Sequence, residues 1–116
     1  MNTAAATEAQ IPQLRELWQR AFGDTDDFLD DFFSTAFAPH RSRCITVDGD
    51  LAAVLYWFDC TLEQKKLAYL YAVATDPAHR GKGLCRALMA DTAETLKATG
   101  YAGMVLVPQK PSLIAM

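Results

Sequence analysis

One stretch of the sequence, residues 67–90, constrains the fold more than any other. Residues 67–75 form an apolar run with aromatic side chains and no Gly or Pro, which is typical of a buried strand. Asp76 and Pro77 end this strand, because Pro cannot donate a hydrogen bond to a sheet ladder. A basic loop with two glycines follows at residues 80–83, and good helix formers come after it. The stretch therefore predicts a strand, a glycine loop and a helix, in that order.

The predicted helix start is suited to bind an anion. Backbone N–H groups at a helix start lack intrahelical partners, and the helix dipole adds positive potential there. Gly81 and Gly83 lack the Cβ atoms that would keep a ligand away from those groups. Arg80, Lys82 and Arg86 add cationic side chains. We interpret the loop as a phosphate site; the alternative is a connecting loop with surface charges.

Length, charge and hydropathy restrict the class of protein. The 116 residues predict one domain, and a hydrophobic content of 51% excludes a disordered chain. A net charge of −3 argues against a nucleic-acid-binding protein. No apolar run is long enough to cross a membrane, and the first residues lack the basic and apolar regions of a signal peptide. We therefore expect a cytoplasmic protein without a membrane partner.

The cysteines and histidines predict neither a disulfide framework nor a metal site. Cys44, Cys60 and Cys85 show no Cys-x-x-Cys spacing, and their odd number leaves at least one thiol free. We interpret them as small buried residues in a reducing compartment. His40 and His79 lie in separate predicted loops, so no metal is expected.

Two helices are predicted ahead of the sheet, after a short edge strand at residues 1–6. Thr7 with Gln10 resembles a capping box, and Gly23 is placed to end the first helix. The second helix is capped by Asp24 or Thr25 and continues with an apolar stripe until a proline closes it. The stripe and the closing proline are Phe28, Leu29, Phe32, Phe33, Ala36, Phe37 and Pro39.

Five aspartates lie around the second helix, and two interpretations of them stay open. They are Asp24, Asp26, Asp27, Asp30 and Asp31. A solvated face with N-terminal capping explains them structurally. The functional alternative is an acidic wall that attracts a cationic acceptor.

The remaining elements predict a mixed α/β (α+β) fold. Residues 43–47 and 51–60 form two strands joined by the Asp48-Gly49 turn, and the second strand alternates so little that both its faces should be covered. With residues 67–75 they make an antiparallel meander. Residues 102–107 form a further strand, parallel to 67–75 because a helix predicted at about residues 81–98 separates the two in a β-α-β crossover. Pro108 and Pro111 then break the chain, and residues 112–116 predict the first turn of another helix.

Two known phosphate loops fit these residues poorly. A nucleotide-hydrolysing P-loop has Ser or Thr after its Gly-Lys pair, whereas Gly83 follows Lys82 here. A dinucleotide-binding loop has a third Gly where Arg86 stands, and it has an acidic residue at the end of the next strand, where Val107-Pro108 offers none.

The run of residues 73–85 instead resembles the acyl-CoA-binding motif of the GNAT superfamily of N-acetyltransferases. That motif reads Arg/Gln-x-x-Gly-x-Gly/Ala after a strand that ends near a Pro. Arg80 and Gly83 match it, and Cys85 replaces the usual Gly or Ala with another small residue. The resemblance covers most of the chain, and residues 14–33 look like the N-terminal helices of the Eis-like branch.

The resemblance implies an acetyl-CoA site. In such proteins the backbone of the strand end pairs with the pantetheine arm, and the loop with the helix start cradles the pyrophosphate. The residues at the corresponding positions here are Val73, Ala74, Thr75, Arg80, Gly81, Lys82, Gly83, Leu84, Cys85 and Arg86. The implied activity is transfer of an acetyl group to a primary amine, of a small molecule or a protein, by direct attack in a ternary complex.

The resemblance also implies that part of the domain is missing. Relatives often use as proton donor a Tyr on the helix after the fifth strand, which would follow directly beyond Met116. That helix and the final strands are absent, so residues 1–116 resemble a single, C-terminally incomplete acetyltransferase domain. The strand at residues 102–107 would then present an open apolar edge, which predicts poor stability or a homodimer through it.

Catalytic residues are not predicted by these patterns. Tyr69, Tyr71, Asp59 and Glu63 are candidate general bases by type alone, and we interpret each as structural. Two alternatives to an enzyme therefore stay open. One is a catalytically incomplete domain that holds CoA, and the other is an unrelated anion-binding α/β domain.

Overall fold

A five-stranded mixed sheet organises the protein, whose computed structural model describes residues 2–106. In chain order the strands are β1 (Asn2–Ala4), β2 (Ser42–Val47), β3 (Asp50–Leu62), β4 (Lys65–Thr75) and β5 (Gly103–Val105). Sequence neighbours pair throughout, antiparallel from β1 to β4 and parallel between β4 and β5. The helices are α1 (Ile11–Phe22), α2 (Asp26–Asp31) and α3 (Leu84–Ala98). The predicted meander and β-α-β crossover are confirmed.

The first helix begins and ends where its sequence predicts. The side chain of Gln10 accepts a hydrogen bond from Thr7 N–H at 2.9 Å, which caps the short 3-10 turn that leads into α1. Gly23 ends α1 in the left-handed conformation (φ 71°), and its N–H donates to the carbonyl of Gln19 at 2.9 Å. The buried residues of α1 recur at helical spacing along one face; they are Leu14, Leu17 and Trp18.

The second helix is shorter than predicted. Thr25 caps it, since its side-chain oxygen accepts from Phe28 N–H at 3.2 Å, but the α-helix ends at Asp31 and a π-helical turn, Phe32–Ala36, follows. Aromatic packing accounts for the wider turn. It places Phe32 and Phe33 on the same side, where their ring centroids lie 4.7 and 6.0 Å from that of Trp18. A contact made by a different helix therefore sets the shape of this segment.

Both faces of the sheet are covered, as the weak alternation of the third strand predicts. Every residue of β3 from 51 to 57 is buried. Alternate side chains enter two separate cores. The core under α1, α2 and the π-helical turn includes Leu51, Val54, Tyr56 and Ala74. The core under α3 includes Ala53, Leu55, Trp57, Val73, Leu84 and Leu88.

The crossover helix and the last strand are shorter than expected. Residues 81–98 were expected to be helical, yet α3 begins at Leu84, because Gly81 and Gly83 adopt left-handed conformations (φ 81° and 76°) that a helix excludes. The strand predicted at residues 102–107 is paired only over Gly103–Val105. Residue 107 and the predictions for Pro108, Pro111 and residues 112–116 lie outside the described part of the chain.

Candidate functional site

The fourth strand is paired on both sides for only part of its length. Its pairing with β5 runs from Leu67, opposite Gly103, to Tyr69, opposite Val105. Beyond Tyr69, residues 70–75 have a sheet partner only on the β3 side among the described residues. The predicted strand-end residues Val73, Ala74 and Thr75 therefore lie along an open sheet edge, where backbone groups can pair with an extended ligand.

A β-bulge marks the start of this open edge. Tyr71 lies opposite Tyr56 and Ala74 lies opposite Val54, so two residues of β4 face the single residue Leu55 of β3. Ala72, one of the two, has a φ of 52°, which is unfavourable for a residue with a Cβ. The sequence carries no signal for this bulge, because no Gly or Asn marks the position.

The side chains of the three strand-end residues point into the cores. Val73, Ala74 and Thr75 are 8%, 3% and 3% exposed, so only their backbone groups face the open edge. The Thr75 hydroxyl is buried without a hydrogen-bond partner among the described residues. The Nε of Arg80 donates to the Thr75 carbonyl at 3.4 Å, so the strand end and the basic loop are brought together.

The glycine loop before α3 is open to solvent. Gly81, Lys82 and Gly83 are all exposed, and within residues 2–106 a Cβ on either glycine would meet no atom within 4 Å beyond its own chain neighbours. Gly83 occupies the N-cap position of α3 and provides no side-chain cap for the first turn. An anion therefore has free access to these N–H groups, as the phosphate interpretation requires.

The predicted helix-start residues divide into two groups. Leu84 is buried and Cys85 is half-buried against the α3-side core, and burial raises the pKa of the Cys85 thiol. Arg86 is exposed, and the Lys82 ammonium lies 3.4 Å from His79 Nδ1. Leu84 and Cys85 thus offer only backbone groups to a ligand, whereas Lys82 and Arg86 also offer charge.

On the opposite face of the sheet, three side chains come together that the sequence patterns did not connect. The indole Nε1 of Trp18 donates to Asp24 Oδ2 at 2.7 Å, and the Trp18 ring lies 5.7 Å from that of Tyr71 between centroids. Tyr71 is half-buried, and its pKa is raised by burial and by the negative charge of Asp24. No local spacing signals this group, since Tyr71 is far from the other two in sequence.

Of the other candidate bases, Tyr69 lies opposite Val105 next to the open edge, whereas Asp59 and Glu63 lie away from it. Asp59 accepts a hydrogen bond from the Tyr101 hydroxyl and lies 3.9 Å from the Lys66 ammonium, near the start of β4. Glu63 occupies the turn between β3 and β4 with a φ of 52°. Neither position adjoins residues 70–75.

The described part of the chain shows neither a metal-ligand cluster nor a membrane-spanning helix. Within residues 2–106, no three His, Cys, Asp or Glu side chains come together as metal ligands would. No helix in this part of the chain has the length and hydropathy needed to cross a bilayer.

Several solved structures with this fold are named acetyltransferases. The ribosomal-protein-alanine N-acetyltransferase of Brucella melitensis biovar Abortus 2308 is 19% identical, with a TM-score of 0.75 over 96% of this chain and 82% of that one. The Escherichia coli ribosomal-protein-S18-alanine N-acetyltransferase is 24% identical, with a TM-score of 0.76 over 96% and 69%. An aminoglycoside acetyltransferase from an uncultured soil metagenomic sample is 16% identical, with a TM-score of 0.73 over 94% and 78%. These likenesses show that the chain shares the fold of these proteins.

The family follows from the sequence comparison. A family model described as an acetyltransferase (GNAT) domain matches residues 2–115. The chain belongs to the GNAT acetyltransferase family, which confirms the resemblance carried by residues 73–85. No curated protein sequence gives a significant match to it.

Proposed function

We propose that the protein is an N-acetyltransferase that transfers an acetyl group from acetyl-CoA to a primary amine by direct attack in a ternary complex. The observation that carries the proposal is the open half of β4, which runs directly into the exposed glycine loop before α3. An extended donor molecule could place its phosphates at the glycine loop and the rest of its length, with the acyl group, along the open half of β4. Membership of the GNAT family supports the same conclusion.

The donor would be held by two adjoining parts of the chain. The backbone of Val73, Ala74 and Thr75 would pair with the pantetheine arm along the open edge. The loop and helix start would bind the pyrophosphate through N–H groups and cations. The residues that form this second part are Arg80, Gly81, Lys82, Gly83, Leu84, Cys85 and Arg86.

The proposed reaction depends mainly on the protein holding the amine and the thioester in the correct relative position. The amine nitrogen attacks the thioester carbonyl carbon, the C–S bond breaks, the nitrogen loses a proton and the CoA thiolate gains one. A free sheet-edge N–H can stabilise the negative charge that develops on the carbonyl oxygen. Binding both substrates side by side supplies the proximity that replaces a covalent intermediate. The departing thiolate takes up a proton readily at neutral pH, since a thiol has a pKa of about 8.5.

An amine acceptor is consistent with the names of the structural neighbours. Two of those names specify a ribosomal-protein alanine and a third specifies an aminoglycoside. The proposed acceptor class therefore includes small-molecule and protein amines.

A titration of acetyl-CoA and of CoA against thermal unfolding tests the donor site. Ligand at about 100 times Kd should stabilise the protein by about 2.7 kcal/mol. Gly83→Glu should abolish this effect, because its carboxylate would repel the phosphates. Gly49→Glu is the matched control, since Gly49 also has a positive φ (85°) but lies in the β2–β3 turn. Wild-type affinity in Gly83→Glu would refute the loop assignment.

A measurement of CoA thiol release distinguishes catalysis from binding without catalysis. With acetyl-CoA and a panel of primary amines, the proposed enzyme releases CoA at a rate that depends on the amine. Binding of acetyl-CoA without amine-dependent thiol release would instead identify a CoA-binding domain that is catalytically incomplete.

A further inference from the structure

Asp24 differs from Asp26 and Asp30 in the partner of its carboxylate. Asp26 and Asp30 lie 3.6 and 2.8 Å from the Arg15 guanidinium, so a cation partly neutralises both. Asp24 contacts the neutral indole of Trp18 at 2.7 Å, and no cationic side chain among residues 2–106 pairs with it. The indole fixes one carboxylate oxygen of Asp24 and leaves the other free to accept from a ligand.

This carboxylate is connected through Trp18 to the strand that carries the proposed donor site. Trp18 packs against both Asp24 and Tyr71, and Tyr71 immediately precedes the bulged residue Ala72 at the start of the open edge. Burial and, to a smaller extent, the negative charge of Asp24 raise the pKa of the Tyr71 phenol. Asp24 and the open edge therefore belong to one region of the molecule.

The face of the sheet also restricts how an acceptor can approach. Helix α3 covers the face to which Val73 points, and the proposed phosphates would occupy the exposed glycine loop before it. Tyr71 and Ala72 point to the opposite face, towards α1 and α2. With the donor on the α3 side, an acceptor can reach the bulge only from the side of α1 and α2. Asp24 lies on that side.

We propose that Asp24 is a specificity-determining residue that binds the ammonium group of a cationic primary amine whose body is apolar or aromatic. The proposal rests on the proposed function and adds the substrate class to it. The apolar body would contact Phe28, which is 38% exposed and whose ring lies 5.8 Å from that of Trp18. A carboxylate beside an exposed aromatic ring recognises such a cation by charge and by contact area together.

The Trp18 indole N–H provides a direct spectroscopic test, because it donates to the proposed ligand-binding carboxylate. The chain has two tryptophans. Trp57 donates to the Tyr101 hydroxyl at 3.2 Å on the α3 side and serves as an internal reference. Both indole N–H resonances are followed by NMR while 2-phenylethylamine, or its neutral analogue 2-phenylethanol, is added at neutral pH; Trp57→Phe assigns the two signals.

The amine is expected to shift the Trp18 resonance saturably and the Trp57 resonance hardly at all. The alcohol should bind at least about tenfold more weakly, since a charge-assisted contact is lost. Equal binding of the two probes, or no response of Trp18 to the amine, would overturn the proposal.

Asp24→Asn isolates the charge, because its amide oxygen still accepts from the Trp18 indole. The variant should bind 2-phenylethylamine about tenfold more weakly, with unchanged melting temperature and acetyl-CoA affinity. Asp27→Asn removes the same charge from the same segment and should leave amine affinity unchanged. Unaltered amine affinity in Asp24→Asn, or an equal loss in Asp27→Asn, contradicts the assignment.

Kinetics distinguish failure of this inference from failure of the proposed function. In an active enzyme, Asp24→Asn should raise KM for the amine about tenfold and leave KM for acetyl-CoA unchanged. Wild-type turnover with an unchanged amine KM in Asp24→Asn refutes the inference alone. If acetyl-CoA does not bind but 2-phenylethylamine binds in an Asp24-dependent manner, the proposed function fails while the cation site stands.

Discussion

At the scale of the residue, Ala72 concentrates the strain of the candidate site. Its φ of 52° is left-handed, which costs a residue with a Cβ about 1–2 kcal/mol. The bulge that requires this φ turns Tyr71 and Ala72 to the face of α1 and α2 while Val73 faces α3. The strained residue therefore lies at the bulge, where the side chains of β4 divide between the α3 face and the face that we propose receives the acceptor.

Replacing Ala72 by glycine tests this strain. Ala72→Gly should cost about 1–2 kcal/mol less stability than Ala68→Gly, because glycine adopts a positive φ freely. Ala68 is the matched control, since it lies in the same strand, paired regularly with Asp59 and Met104. Urea unfolding of both variants measures the difference. An equal loss of stability in the two variants would show that position 72 is not strained.

At the scale of the element, α3 has a structural face and a ligand-facing end. Leu84, Leu88 and Leu96 are buried against β3 and β4, and they hold the helix at a fixed place on the sheet. Arg86 lies between the first two in sequence and is exposed. Stability and anion binding should therefore depend on different residues of the same helix turn.

A pair of alanine variants separates the two faces of α3. Leu88→Ala should lower the unfolding free energy by about 2–5 kcal/mol, because Leu88 is fully buried. Arg86→Ala should change stability by less than about 0.5 kcal/mol, as is usual for exposed sites, yet weaken acetyl-CoA binding. Urea unfolding and calorimetric titration provide the two measurements. Unchanged acetyl-CoA affinity in Arg86→Ala would remove that residue from the site.

At the scale of the whole molecule, β5 is the edge of the described sheet on the site side. It pairs with β4 alone among residues 2–106, and Met104 and Leu106 are 36% and 41% exposed. An apolar strand edge favours pairing with another chain. The homodimer predicted through residues 102–107 therefore remains our proposal for the assembly.

A lysine on this strand tests the assembly. Met104→Lys should weaken self-association about tenfold, because an edge lysine disfavours strand pairing. Sedimentation velocity over a concentration series measures the effect. Leu62→Lys is the control, since Leu62 is 63% exposed at the end of the β3–β4 hairpin. A wild-type protein that stays monomeric, or an equal effect of both lysines, would count against pairing through β5.

Local patterns determined most of the fold and the nature of the loop. Gly23 and the Asp48-Gly49 turn end their elements as predicted, because a residue's own φ preference decides such points. The Arg-x-x-Gly spacing at residues 80–83 identified the family for the same reason. The motif lies within one short segment, so its residues can be recognised in the sequence whatever that segment packs against.

Tertiary contacts alone decided the rest. The π-helical turn at Phe32–Ala36, the bulge at Ala72 and the meeting of Trp18, Asp24 and Tyr71 all depend on side chains from different elements. The energy of each contact exists only once the sheet and helices have packed, so no spacing within a single segment encodes it. The sequence by itself thus determined the loop proposed to hold the donor. Only the three-dimensional packing brought the carboxylate proposed to select the acceptor together with Trp18 and Tyr71, on the face of the sheet opposite α3.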